Sequence, residues 1–280
     1  SSDLRERPWR PEVAAAQETY ASFRIEELED GKLWRLVLDC GKGNVVGIEA
    51  LTELRAAWKR LAESPSVRAV VLDHEGKHFS FGASVDDHTK DKVGAMLPLL
   101  HGFAKDVVSL GVPVLVAVRG MCLGGGLELA LLGQRIVASD DAVFGQPEVT
   151  LGVFAPLGSL LLPSMIGNQL AADLLLSGRT IGAAEAQDAG LVAEVTTGLG
   201  EAADPGRAAV AWATEHLVPK SAAALRFATR ALWEGRDHAF AHRLNKMEAL
   251  YLEELMETHD ANEGIAAFLD GRRTPDWKDA

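Results

Sequence analysis

The chain has 280 residues, long enough to bury a full core as one large domain or as one domain with a helical appendix. Its 28 Lys and Arg against 40 Asp and Glu leave a formal net charge of -12, which argues against nucleic acid or an anionic membrane as the main partner; an anionic ligand would need a locally basic mouth. Two isolated cysteines, Cys40 and Cys122, are too few for a disulfide framework or a metal knot, so a reducing cytoplasm is the simplest compartment and no metal site is expected.

The start at Ser1 and Ser2 reads as a processed end or a tag remnant, and the polar, charged residues that follow are unlike a signal peptide; residues 1–20 are expected to form an N-terminal arm. Residues 23–29 and 33–39 read as two strands of a hairpin around Asp30-Gly31. Leu51, Leu54, Trp58 and Leu61 recur at helical spacing and predict a helix over 48–62, followed by a buried strand over 67–72. After the segment 79–83, a helix over 92–110 leads into a strand over 112–118, an apolar run much too short to span a bilayer. A glycine turn and a helix carrying Glu128 come next, then short strands at 135–138 and 142–144. Strand and helix in repeated succession imply a largely parallel sheet with covered faces.

From about residue 205 the sequence turns almost wholly helical, with segments at 208–217 and 221–234 and one long stretch over 238–268. Leu250, Leu252, Leu255, Met256, Ile265 and Phe268 give that tail apolar faces, which must pack on the core or on another subunit. The expected organisation is an arm (1–20), an α/β core (21–204) and a helical oligomerisation region (205–280).

The chemistry concentrates in Gly124-Gly125-Gly126-Leu127-Glu128 and, twenty residues past its acid, Phe144-Gly145-Gln146-Pro147-Glu148. Glycines that open a helix let a ligand approach bare N–H groups where the helix dipole is positive, which suits a developing negative charge. Two carboxyls flanking one centre are equipment for moving protons. Each feature also has a plainer reading: the glycines could serve only close helix-to-strand packing, and Glu148 could be a helix-start charge. Cys122 reads as a small packing residue, and Ser159 and Ser164 lack triad partners.

Taken together, the chain from about Phe23 to Trp277 resembles the crotonase (enoyl-CoA hydratase/isomerase) superfamily, with Phe79-Ser80-Phe81-Gly82-Ala83 as its first oxyanion segment, Gly124-Gly125-Gly126 as its second and Glu128 and Glu148 as its acids. The resemblance implies an α/β fold, a spiral of ββα turns followed by a helical trimerisation region, assembled as trimers or dimers of trimers. It implies that the N–H groups of Ala83 and Gly125 hold a thioester oxygen, each worth about 3 kcal/mol to an enolate. Coenzyme A enters as part of the substrate, with no permanently bound cofactor. Lys42, Phe81 and Phe268 are its implied contacts, and Arg272 or Arg273 would stand in for a lysine that some relatives carry where this chain has Gly271. Lys42 by itself could equally be a solvated loop charge.

A narrower resemblance runs through His78-Phe79-Ser80-Phe81-Gly82-Ala83-Ser84-Val85-Asp86-Asp87-His88, Cys122-Leu123-Gly124 and Leu151-Gly152-Val153-Phe154-Ala155-Pro156 to the cyclohexa-1,5-diene-1-carbonyl-CoA hydratases of aromatic degradation. Ordinary enoyl-CoA hydratases carry an Ala-Gly-Ala-Asp run where this chain has Phe81-Gly82-Ala83-Ser84, and a glycine-rich turn at 154–159. The resemblance implies a cyclic dienoyl thioester hydrated in a 1,4 sense and an acyl pocket of His88, Met96, Leu100, Phe154 and Pro156. His88 could instead lie on a surface helix. Hydration or isomerisation of a linear enoyl-CoA is one alternative; a non-catalytic acyl-CoA-binding or RNA-binding relative is the other, disfavoured by the acid pair and by the net charge.

Overall fold

The computed structural model describes residues 16–198 and 200–279. Residues 1–15 of the expected arm lie outside that range, while Ala16–Thr19 forms an edge strand, β1, antiparallel to the strand after it. The hairpin is present: β2 (Phe23–Leu28) and β3 (Leu33–Leu38) pair antiparallel, with Glu29, Asp30 and Gly31 at positive φ in the turn.

A parallel series begins at β3. The strands β4 (Ala69–His74), β5 (Val114–Val118), β7 (Arg135–Ser139) and β10 (Glu194–Thr196) join it one after another, so the large sheet runs β1-β2-β3-β4-β5-β7-β10. A smaller sheet holds β6 (Met121–Leu123), β8 (Val143–Gly145) and β9 (Thr180–Gly182). Each turn of chain adds a strand to the large sheet, passes through or beside the small one, and returns: β5 leads into β6 and β7 into β8. The segment 79–83 does the same one turn earlier through single bridges, Ser80 to Cys122 and Val46 to Ala83. This is the expected spiral of ββα turns. The helices α1 (Ile48–Ala62), α2 (Val93–Leu110) and α3 (Gly125–Ala130) carry the chain back.

The large sheet is buried on both faces, as parallel strands require. Trp34, Leu36, Val70, Leu72, Val116 and Ile136 face the main core with α1 and α2, while Leu33, Val71, Leu115 and Val137 face α7 (Pro205–His216) through Ala209, Val210 and Ala213. The change of composition near 205 is therefore no break in packing, since α7 supplies the second cover of the sheet. A buried ionic network ties that cover down. Arg35 donates to Asp73 Oδ2 at 3.0 and 2.6 Å and to Glu26 Oε2 at 2.8 Å, and Arg119 donates to Asp73 Oδ1 at 3.2 Å. Asp204, which caps α7 by accepting from the Arg207 N–H at 2.9 Å, lies 3.6 Å from Arg119 Nη1.

Three helices absent from the sequence reading, α4 (Pro156–Ile166), α5 (Asn168–Ser177) and α6 (Ala183–Asp188), connect the small sheet to the rest. After α8 (Ala222–Asp237) the expected continuous stretch over 238–268 is broken. It becomes α9 (Phe240–Ala249), a π-helical turn (Leu250–Glu254), a tight 3-10 turn (Leu255–Glu257) and α10 (His259–Leu269). The break follows from Thr258, which is extended and whose side chain accepts from the Ala261 N–H at 3.2 Å to start a new helix. Tyr251, Met256 and Ile265 of this region belong to the main core. Among the described residues one helix, α2, is long and apolar enough to cross a membrane by length and composition; here it is the core helix packed on α1.

Candidate active site

Three successive turns of the spiral stack in register at the small sheet. Ser80 pairs with Cys122, and Cys122 pairs with Phe144. Three residues beyond these partners stand Ala83, Gly125 and Pro147, and Glu148 follows at once. Segments far apart in the chain thus deliver two backbone amides and a carboxyl to one level of the fold.

The first amide belongs to Ala83. Within its bridge to Val46, Gly82 O accepts from Val46 N at 2.9 Å and Ser84 N donates to Val46 O at 3.3 Å, so the Ala83 N–H points the other way. Ser80 holds this loop: its Oγ accepts from the Gly82 N–H at 3.0 Å and donates to Asn44 O at 2.7 Å. The second amide is that of Gly125, in the first turn of α3, where a helix offers no carbonyl to its own N–H. A β-carbon at Gly125 would sit 3.0 Å from Ala83 N. The two N–H groups are neighbours because residue 125 is a glycine.

The glycine run serves packing and approach together. A β-carbon on Gly126 would meet Ser80 Cβ at 2.6 Å, so that position is fixed by the helix lying on the 79–83 segment. Gly124 is different: it has φ 52, and a β-carbon there would stand 2.8 Å from Glu148 Oε1. The plainer packing reading holds for Gly126, and the approach of other groups accounts for Gly124 and Gly125.

Glu128, 3% exposed, accepts from the Gly158 N–H on Oε1 at 2.9 Å. Burial raises its pKa, against the Gly158 N–H, the nearby His101 and the Leu157 N–H, which all favour the ionised form. Glu148 starts a short 3-10 turn, Pro147–Leu151, and its carboxyl is pushed up to about 8 by burial and by the Glu128 charge. Two acids in one cavity thus have unlike supports, and the pair holds a proton more readily than a free carboxyl would.

Gln146 was not singled out from the sequence and turns out to matter. It is 1% exposed and, with its amide turned so that both ends find partners, Nε2 donates to the two Glu148 oxygens at 3.0 and 3.1 Å and to Gly124 O at 3.2 Å. Its position two residues before Glu148, directly after β8, was the available signal.

The cavity itself is lined by Phe81, Gly82, Ala83, Val85, His88, Met96, Leu97, Leu100, Gly124, Gly125, Glu128, Pro147, Glu148, Leu151, Val153, Phe154, Ala155, Pro156, Tyr251 and Ile265. All five residues expected for the acyl pocket are in it: His88, Met96, Leu100, Phe154 and Pro156. His88 is half-buried on a short 3-10 turn, Asp86–His88, and faces the cavity. Its Nδ1 lies 2.7 Å from Ser84 O, which makes it the protonated nitrogen, and burial lowers the ring's pKa, leaving Nε2 as an acceptor on a neutral imidazole. Cys122 is fully buried with its thiol raised well above the ordinary value, as the packing reading requires.

The residues expected to touch coenzyme A spread out from this cavity. Phe81, 44% exposed, lies at its edge beside His78, with ring centroids 4.9 Å apart, and presses on Gly43, the neighbour of exposed Lys42. Phe268 is exposed on α10 and does not line the cavity of its own chain. Arg272 is taken up by Glu263 and Asp270.

The sequence model of the enoyl-CoA hydratase/isomerase family matches residues 38–280. The chain belongs to that family. Among the relatives of this enoyl-CoA hydratase/isomerase family member, a cyclohexa-1,5-dienecarbonyl-CoA hydratase of Thauera aromatica is 47% identical over 249 residues, covering 89% of this chain and 94% of that one. A probable enoyl-CoA hydratase of Rhizobium meliloti (strain 1021) is 35% identical over 232 residues, 82% of this chain and 88% of the relative. The crystal structure of an enoyl-CoA hydratase from Mycobacterium avium subsp. paratuberculosis K-10 aligns with a TM-score of 0.79 at 22% identity, over 93% of this chain and 100% of the other, a likeness of fold. Family membership accounts for the ββα spiral.

Proposed function

We propose that the protein is a hydro-lyase that adds water to a conjugated acyl-CoA thioester, and that this substrate is cyclohexa-1,5-diene-1-carbonyl-CoA. The observation that carries the reading is the convergence on one largely apolar cavity of two neighbouring backbone amides and two buried carboxyls. The cyclic acyl group is supported by the 47% identity to a hydratase named for that compound. It is supported also by the apolar wall of Phe154, Ala155 and Pro156, where Pro156 opens α4.

The thioester oxygen binds the N–H groups of Ala83 and Gly125, which strengthen their hold as negative charge develops on it. Glu128, ionised and held by the Gly158 N–H, takes one proton from water while the water oxygen bonds to the ring carbon β to the thioester. The electron pair moves into the conjugated thioester as an enolate. Glu148 then gives its proton to the carbon at the far end of the diene, and the double bond settles between the two carbons in between. Water has been added across the ends of the system, the product is 6-hydroxycyclohex-1-ene-1-carbonyl-CoA, and proton exchange between the paired carboxyls restores the starting state. No permanently bound cofactor is needed for these steps. Lys42 and Phe81 meet the coenzyme A moiety at the cavity's edge. Exposed Leu176, Phe227, Leu232, Phe268 and Leu269 support assembly as trimers or dimers of trimers, in which Phe268 reaches a neighbour's ligand.

Hydration of a linear enoyl-CoA is the second reading, favoured by the intact acid pair and by relatives such as the probable enoyl-CoA hydratase of Rhizobium meliloti (strain 1021). A mass-spectrometric turnover assay offering crotonyl-CoA and cyclohexa-1,5-diene-1-carbonyl-CoA in parallel separates the two. Gain of one water on the cyclic diene in preference is the expected result. Preference for crotonyl-CoA overturns the cyclic assignment, and hydration of neither overturns the hydratase reading.

A further inference from the structure

Tyr251 reaches the cavity from the π-helical turn that follows α9, over one hundred residues after either glutamate. Its ring lies 5.4 Å from that of Phe154, and the residue is 1% exposed. Its hydroxyl is sealed from bulk solvent and has no hydrogen-bond partner. Other buried polar atoms are unpartnered too, on Trp58, His101, Trp233 and several arginines, but among the described residues Tyr251 is the one that also lines this cavity. Leaving a buried hydroxyl unpaired costs its full desolvation penalty, so the group is poised for a partner that arrives with the ligand.

The chemistry of the ligand limits who that partner is. In the proposed reaction, on which this inference rests, the thioester oxygen is already held by Ala83 and Gly125, and the ring is hydrocarbon. The polar atom left at the ring is the oxygen of the attacking water, which becomes the hydroxyl of the product. Tyr251, Glu128 and Glu148 line the same cavity, and burial first, then the two acids, raise the Tyr251 pKa, so the phenol keeps its proton among the groups that handle that water. A water held by Glu128 through one proton has a second proton to place before its lone pair can point at carbon.

We propose that the Tyr251 hydroxyl binds the water that adds to the substrate and, after addition, the new hydroxyl of the product, making Tyr251 a substrate-contacting specificity residue of this site. The phenol accepts the water's second proton in a hydrogen bond and turns to donate once the oxygen is bonded to carbon. No bond to Tyr251 is made or broken.

The test is Tyr251→Phe, which keeps the ring on Phe154 and removes one oxygen. Calorimetric titration of wild type and variant with 6-hydroxycyclohex-1-ene-1-carbonyl-CoA, read at its equilibrium with the diene, and with cyclohex-1-ene-1-carbonyl-CoA reads the preference for a hydroxylated ligand. Wild type should prefer the hydroxylated thioester, and the variant should lose about tenfold of that preference with an unchanged affinity for the other ligand. In turnover, kcat should fall about ten- to a hundredfold with KM little changed. An equal preference in both proteins overturns the proposal, as does a variant that weakens both ligands alike, which is the signature of a packing role. If wild type hydrates neither thioester the hydratase reading fails by itself, and the titration still decides Tyr251.

Discussion

Glu148 Oε1 stands 2.8 Å from the point where a β-carbon on Gly124 would begin. An acid delivered by one turn of the spiral therefore fills the space that the preceding turn leaves open by having no side chain. Gly124→Ala adds a methyl group against the carboxyl at a φ of 52, where side chains are strained. The expected outcome is a loss of kcat of at least about tenfold from displacement of Glu148, together with reduced stability. Steady-state kinetics and a thermal melt check it, and an unchanged kcat would show that Glu148 need not sit there.

Glu128→Gln and Glu148→Gln should each lower turnover by about a hundredfold or more, since each removes a group that moves a proton at carbon or at water. The melting temperatures should hold or rise, because a buried carboxyl is replaced by a neutral isostere. Either variant with near-full activity sinks the two-carboxyl mechanism.

The Glu148 carboxyl, raised to about 8, must be protonated to act as the acid. Accordingly kcat/KM should fall as pH rises through about 8. Stability changes with the same sign. Between the ordinary carboxylate value of 4.5 and about 8 the folded state binds the extra proton, so stability is full below that window and is lost progressively across it as pH rises. Chemical denaturation at pH 5 and pH 9 should show this slope in wild type and a shallower one in Glu148→Gln. A wild-type slope that matches the variant's would mean that Glu148 titrates normally.

Gln146→Leu removes the N–H donors that face both Glu148 oxygens. Those donors favour the ionised carboxylate, so their loss should move the basic limb of the pH–rate profile upward and lower kcat by about tenfold. A pH–rate profile identical to wild type would assign Gln146 to packing alone.

The network under α7 predicts a stability effect with no role in chemistry. Burial alone would raise the Asp73 pKa, but Arg119 and Arg35 overcome it and hold the carboxyl well below the usual range. Asp73→Asn removes the carboxylate that both guanidinium groups share, and unfolding by urea should show a loss of about 3–5 kcal/mol. Activity per folded molecule should be unchanged.

Much of this protein is legible in one dimension. The helix over Ile48–Ala62 shows its period in the sequence because it buries one face, which Leu51, Leu54, Trp58 and Leu61 record residue by residue, and the hairpin of β2 and β3 shows through Asp30-Gly31 at its turn. The triple glycine and the two glutamates are equally plain, since a bare amide and a carboxyl need particular residue types. Strands of three residues such as β6, β9 and β10 are too short to carry a period, and Thr258 ends a helical stretch by a single side-chain hydrogen bond that composition does not announce.

What only the tertiary structure decided is who meets whom. Register between successive turns brings Ala83 beside Gly125 and sets Glu148 against Gly124; a turned amide makes Gln146 the partner of Glu148; a π-helical turn carries Tyr251 into a cavity walled mainly by residues from the middle of the chain. Sequence by itself determined the kinds of groups available and the local elements that hold them, because propensity and period act over a few residues. The distances and burial that raise the pKa of both glutamates arise from contacts between distant segments, and those exist only once the spiral has closed.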